Sequence, residues 1–429
     1  GELLGLPADS LCELAGEKLA RKADAFREAA VASIRRGVEM RPECQLAVPD
    51  RGETGAWYLS GNQAAGLGAI EAGIRFVAAY PITPASDVLE WMAGGLESVG
   101  GHLVQAEDEL AAINMAIGAA FGGVPAFTAT SGPGLALMSE SIGLAVASET
   151  PVTILNVMRG GPSTGIPTKS EQSDLNIALY GLHGDAPHLV LAPLDIADCV
   201  FTTGWAVSLA QQLQTPAIVL SDQFIGQSTA VVSTPRRFEG AVAAMTAQES
   251  DNAYLRYRLT ASGISTAAAP GDVEQRFTAD GLEHNEKGTP SAKDSDHQRQ
   301  LHKREHKLQQ FEYGEDWAAI SGDGDVALVC FGSSSAAVTE AAELLEKAGL
   351  STRVISLRLL APLRVDALAA ALVGAGQAVV VEQNHGAQLY HYLRGQMDFK
   401  QRLHSYAVAG PVPLNAGKLA EFVTGVTGK

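Results

Sequence analysis

The sequence predicts an α/β protein: a doubly wound parallel sheet followed by a smaller α/β domain. Three observations predict it. Between Gly61 and Asp222, Ala/Gly-rich stretches of helical length alternate five times with short apolar runs. Those runs are continuously apolar, as strands covered on both faces are. After a polar interval the same alternation resumes at Asp325.

The segment from Gly1 to Met40 reads as helices, since CELAGEKLARKADAFREAAVASIRRG mixes small apolar and charged residues at helical spacing. PECQLAVPDRGETGA, Pro42 to Ala56, is a Pro/Gly-punctuated linker. In the first α/β part NQAAGLGAIEAG precedes the run RFVAAYP, and SDVLEWMAGG precedes HLVQA. AAINMAIGAAFGG then leads to VPAFTAT, LALMSESIGLAVAS to PVTILNVM, and IADCVFTTGWAVSLAQQL to PAIVLSD. Between Gly281 and Gln310, 11 of 30 residues are charged, too polar for core, so 236–323 is expected to be an extended linker with at most one exposed helix. From Asp325, DVALVCFG, STRVISLRLL and QAVVVEQN read as strands, with SSAAVTEAAELLEKAG and RVDALAAALVGAG as helices between them. The domain divisions expected are 1–50, 56–235, 236–323 and 324–429.

Composition narrows the function. Forty-eight acids against 31 bases give a formal charge of −17, and the only basic cluster, LHKREHK, is short and mixed with histidine. Nucleic acid and anionic membrane are therefore not expected partners. Apolar runs are broken by residues such as Glu149 and Pro151, short of the roughly 20 residues that span a bilayer. The N-terminus has neither initiator Met nor signal-peptide pattern and reads as a fragment. Cys12, Cys44, Cys199 and Cys330 lack C-x-x-C spacing, so they are expected to be reduced thiols of a cytoplasmic protein that holds no metal in this chain. His284, His297, His302 and His306 are spread through a solvated segment without ligand spacing. GDG at Gly322–Gly324 precedes a strand instead of following one and is rejected as a metal site.

Ligands of parallel sheets bind outside the carboxyl ends of the strands. Those ends are YPITP, QAEDE, TSGPG, MRGGPSTG and SDQF. TSGPG, Thr130–Gly134, follows a strand and opens a helix, where backbone N–H groups converge on an anion or a polar ring. Arg159 stands at a strand end, where a guanidinium suits a carboxylate or phosphate. Glu107, Asp108 and Glu109 precede an Ala-rich apolar run, and acids are favoured in a helix's first turn.

Together and in this order, YPITP, QAEDE, TSGPG and RGGPSTGIPT resemble the α subunit of 2-oxoacid:ferredoxin oxidoreductases. Gly61–Asp222 resembles its thiamine-pyrimidine-binding domain, Asp325–Gly395 its transketolase-C-terminal-like domain, and Gly1–Met40 the end of the γ domain that some members fuse ahead of α. The resemblance implies thiamine diphosphate, with one carboxyl pairing with N1′ of the aminopyrimidine in a dry pocket. The spacing from Glu107 to Ser131, 131 − 107 = 24, looks like that of acetolactate-synthase-type enzymes and assigns the role to Glu107, leaving Asp108 and Glu109 to start the helix. Leu110, Ile113, Ile117 and Phe121 would then form its buried stripe. Pro81, Ile82, Ser131 and Gly132 join Glu107 in the implied cofactor site. Arg159, Thr83 and Thr168 are the implied substrate ligands.

The resemblance further implies that the diphosphate, Mg2+ and a [4Fe-4S] cluster belong to a β subunit. It also implies CoA as co-substrate, ferredoxin as electron acceptor and an (αβ)2 assembly. 2-Oxoglutarate, giving succinyl-CoA, is the expected substrate, with pyruvate or branched-chain 2-oxoacids next. The reading of another class is a non-catalytic subunit that braces its β partner.

Overall fold

The computed structural model describes residues 6–40, 55–240, 254–271 and 275–428. Two units are described separately, Gly1–Ala56 and Trp57–Lys429. In the first, helices Ala8–Lys18 and Asp24–Glu39 pack on each other. Most of the predicted linker, and Cys44 with it, lies outside the described residues. Cys12, Cys199 and Cys330 are free thiols.

The second unit is built on two large sheets and also carries a two-stranded antiparallel ribbon of Trp57–Ser60 and Thr229–Val232. The larger has seven strands in the order Leu359–Ala361, Leu189–Leu191, Ala217–Asp222, Thr153–Met158, Ala126–Thr130, Phe76–Ala79 and His102–Gln105. All pair in parallel except the edge strand Leu359–Ala361. Every residue of Ala126–Thr130, Thr153–Met158 and Ala217–Asp222 is buried, which is why these strands read as unbroken apolar runs. From Phe76–Ala79 the chain first steps to one side, to His102–Gln105, and then to the other, to Ala126–Thr130 and beyond. Right-handed crossovers in opposite directions place helices on opposite faces, and they leave a crevice at the reversal. The carboxyl ends of Phe76–Ala79 and Ala126–Thr130 flank it.

The smaller sheet has the order Arg402–Ala407, Gln377–Glu382, Val326–Phe331, Thr352–Leu357 and Ala318–Ser321, with only the last antiparallel. STRVISLRLL, expected as one strand, is two. Thr352–Leu357 stays in this sheet and Leu359–Ala361 crosses to the edge of the larger one. Arg358 sits at the break, with Nη2 and Nε donating to Asp198 at 2.9 and 3.1 Å and Nη1 to the Asp316 carbonyl at 2.6 Å.

Helix Asp294–Gln309 is the one helix of the polar interval among the described residues, and it is not simply exposed. Gln300, Lys303, Arg304, Lys307 and Leu308 form a buried face. Lys303 and Lys307 each place Nζ on the Glu149 carboxylate, at 2.5 and 2.9 Å, and all three side chains are at most 2% exposed. Arg256 donates to the Glu149 carbonyl at 2.8 Å, while Arg304 pairs with Glu283 at 2.7 Å. The basic cluster read as surface is thus largely consumed internally, because one buried carboxylate makes several buried cations tolerable.

Burial alone would raise the Glu149 pKa, but Lys307, Lys303 and Arg256 outweigh it and hold the carboxyl well below its ordinary 4.5. Burial, with the neighbouring cations adding, pushes Lys307 down to about 8. Glu149→Gln should therefore cost about 3–5 kcal/mol at neutral pH by leaving buried cations unpaired. Below the ordinary 4.5 the unfolded chain binds the proton that folded Glu149 refuses, so this contribution disappears as pH falls. Calorimetric melting should show a large gap between wild type and variant at pH 7 that narrows toward pH 3.

Candidate functional site

The five loops named from the sequence lie along one edge of the larger sheet, since each follows one of its parallel strands. Their acids are sorted by the start of helix Glu109–Phe121. Asp108 is extended at φ −154°, and its Oδ1 accepts from the Ala111 N–H at 2.7 Å, so it is the N-cap. Glu107, one residue earlier, is exposed. Glu109 is buried, 7% exposed, on the face that carries Ala112, Ile113, Ala116, Ile117 and Ala120. Leu110, assigned to the buried stripe from sequence, is 47% exposed.

Glu109 lies against the turn that opens helix Gly132–Ala147. A Cβ at Gly134 would stand 2.9 Å from Glu109 Oε1 and 2.0 Å from Thr130 Oγ1, so only glycine lets the carboxyl approach this closely. In the single chain the buried carboxyl beside TSGPG is Glu109, while Glu107 stands exposed at the strand end. Helical phase sets that burial: Glu109 precedes Ile113 by four residues and shares its face. That phase was present in the sequence.

A second carboxyl flanks the same turn. A Cβ at Gly132 would meet Asp174 Oδ1 at 2.6 Å. Asp174 Oδ2 accepts from Asn156 Nδ2 at 2.9 Å. Burial, and then the charge of Glu171, push its pKa up to about 6 against the pull of the Asn156 hydrogen bond and Arg159. SEQSD reads as an ordinary polar loop, so nothing local singled Asp174 out. Ser131, the residue before the helix, makes no capping bond, and its Oγ is buried without a partner.

Arg159 is joined directly to the YPITP loop, its Nη1 donating to the Thr83 carbonyl at 2.6 Å, while its Nε is buried without a partner. The Thr83 contact is thus through the backbone. Pro81 and Thr83 are exposed, and Ile82 is half-buried against the core. The loop after Arg159 closes on itself: Gly160 N–H donates to Lys169 O and Ile166 N–H to Gly160 O, both at 3.0 Å. Thr168 is half-buried in that loop at φ +35°, and Gly165 at φ +76° leaves no room for a Cβ beside the Gly160 carbonyl.

A parallel sheet whose strand-end loops gather a buried carboxyl, a helix-opening glycine turn and an arginine defines a cofactor-binding α/β protein of thiamine type. The chain belongs to the pyruvate flavodoxin/ferredoxin oxidoreductase family, thiamine-diphosphate-binding part, which matches residues 67–303, and a transketolase C-terminal domain matches 316–416. It is 33% identical to the 2-oxoglutarate synthase subunit KorA of Methanothermobacter marburgensis over 351 residues, 80% of this chain and 91% of that subunit. The KorA subunit of Archaeoglobus fulgidus is 38% identical over 328 residues, 76% of this chain and 88% of its own length. A solved structure of 2-oxoglutarate:ferredoxin oxidoreductase from Magnetococcus marinus with 2-oxoglutarate, coenzyme A and succinyl-CoA bound is similar at TM-score 0.87 and 35% identity. That similarity covers 99% of this chain and 75% of that one.

An acid whose folded pKa is raised binds extra protons in the folded state between its ordinary 3.8 and about 6, so it costs stability as pH rises through that window. Asp174→Asn should remove on the order of 2–3 kcal/mol of this dependence. Chemical denaturation at pH 4 and pH 7 should show the variant losing less stability than wild type across the interval.

Proposed function

We propose that this chain is the α subunit of a thiamine-diphosphate-dependent 2-oxoacid:ferredoxin oxidoreductase acting on 2-oxoglutarate. The overall reaction takes 2-oxoglutarate, CoA and two oxidised ferredoxins to succinyl-CoA, CO2, two reduced ferredoxins and a proton. The observation that carries the reading is the placement along one sheet edge of the Glu107 carboxyl, just past strand His102–Gln105, and the partnerless Ser131 Oγ, just past Ala126–Thr130. Such a pair fits an aminopyrimidine, which offers both donors and acceptors. The names of the relatives support the choice of 2-oxoglutarate and CoA.

Thiamine diphosphate, when bound, supplies the nucleophilic carbon that allows a 2-oxoacid to lose CO2. The chain's own residues do four things around it. Glu107 is assigned to N1′ of the ring, with which it would share a proton once a partner subunit covers the strand ends. Ser131 Oγ, the Gly132 backbone and the Pro81–Ile82 segment hold the ring. Arg159 is pre-oriented by its Thr83 bond, so its free Nε can donate to the substrate carboxylate without a new search of side-chain conformations. The hydroxyls of Thr83 and Thr168 are assigned to the carboxylate and keto oxygens.

The diphosphate, Mg2+ and a [4Fe-4S] cluster are assigned to a β subunit, with ferredoxin as acceptor, in a cytoplasmic (αβ)2 assembly. Among the described residues no helix is long and apolar enough to cross a membrane.

In the reconstituted αβ complex, viologen reduction with 2-oxoglutarate and CoA should fall about 100-fold or more in kcat for Glu107→Gln and change less than about threefold for Glu109→Gln. Full turnover by Glu107→Gln would remove the catalytic reading and leave a bracing subunit. Arg159→Lys, which keeps the charge and loses the fork, should raise KM for 2-oxoglutarate about tenfold.

A further inference from the structure

In the five-stranded sheet the strand order reverses between Val326–Phe331 and Gln377–Glu382. Outside the carboxyl ends at such a reversal an open α/β sheet ordinarily receives a ligand. Here the place is filled by Gln172, from the end of the loop that begins at Arg159. Gln172 is fully buried and all four of its polar groups are bonded there. Its Nε2 donates to the Phe331 carbonyl at 2.8 Å, at the end of one strand. Its Oε1 accepts from the Gln383 N–H at 2.9 Å, and its own N–H donates to the Gln383 carbonyl at 2.7 Å, just past the other. Its carbonyl accepts from Asn384 Nδ2 at 3.2 Å.

Two glycines of the C-terminal domain make room. A Cβ at Gly332 would stand 2.7 Å from Gln172 Nε2, and one at Gly410 would stand 2.5 Å from the Ser170 carbonyl. The neighbouring chain is fastened as well, since Gln388 Nε2 donates to the Ser173 carbonyl at 2.9 Å. The other end of the loop is the buried strand Thr153–Met158, and its base is closed by the bond from Gly160 N–H to Lys169 O. The segment carrying Arg159 and Thr168 therefore hangs between the large sheet and one glutamine held by the small one.

From this geometry we infer that Gln172 is a positioning residue: the C-terminal domain's ligand crevice is occupied by the protein's own side chain, and through it that domain sets the placement of the substrate loop. The inference rests on the proposed reading for the substrate, but not for the clamp itself. A side chain bonded at both ends of its amide to backbone in a dry crevice has one orientation, and displacement of a substrate-holding group by about 1 Å is costly.

The test uses the reconstituted complex with Gln172→Ala and Gln172→Met, the second keeping the packing volume without the hydrogen bonds. Both should raise KM for 2-oxoglutarate about tenfold while KM for CoA and kcat stay within about twofold. Hydrogen exchange followed by mass spectrometry should show faster exchange confined to residues 160–171. Unchanged KM and unchanged exchange in folded variants would overturn the inference. So would failure of both variants to fold, or exchange raised equally along the chain, because either assigns Gln172 to stability alone. If the wild-type complex reduces no acceptor with any 2-oxoacid, the reading of function fails instead, and the exchange arm alone decides the clamp.

Discussion

Parallel strands cannot be joined by tight turns, and the site follows from that constraint. Each connection must cross a face of the sheet and return, so all carboxyl ends gather along one edge. Loops from Tyr80, Ala106, Ser131 and Arg159 are far apart in sequence yet meet there, because His102–Gln105, Phe76–Ala79, Ala126–Thr130 and Thr153–Met158 are successive neighbours. The chemistry then depends on which side chains the local backbone turns inward. One residue of helical phase separates exposed Leu110 from buried Glu109. Two glycines, Gly132 and Gly134, let carboxyls approach the turn from either side.

The scaffold that carries this edge is also fastened from outside the sheet. Helix Asp294–Gln309 is anchored by buried lysines to Glu149, at the far end of helix Gly132–Ala147 from the TSGPG turn. The C-terminal domain holds the substrate loop through Gln172 and contributes the edge strand Leu359–Ala361 to the larger sheet. Fixed polar anchors of this kind keep catalytic groups in one geometry, which loops alone do poorly.

The alternation of helix and strand, the two α/β parts and the identity of the strand-end loops were legible in the sequence, because buried parallel strands leave continuous apolar runs. Four features were misread or unread, each for a physical reason. Asp174 is an ordinary acid of the polar loop SEQSD until Asn156 and Gly132 are placed beside it. STRVISLRLL looks like one strand because both of its halves are buried, and only the Arg358 bond to Asp198, 160 residues away, marks the break. Lys303 and Lys307 read as solvated because a buried cation is legible only with its counter-charge, and Glu149 is 154 residues from the first. Gln172 is an unremarkable residue in a polar loop until its partners, 159 and 211 residues further on, are placed around it.

The central claim is that Glu107 activates thiamine diphosphate from this half of the site. It is tested most directly by the exchange of the C2 proton of the bound cofactor with deuterium, followed by quenched-flow NMR on the αβ complex without substrate. The account predicts exchange slowed about 100-fold or more in Glu107→Gln and unchanged in Glu109→Gln. Wild-type exchange in Glu107→Gln, or slowed exchange in Glu109→Gln alone, would contradict it.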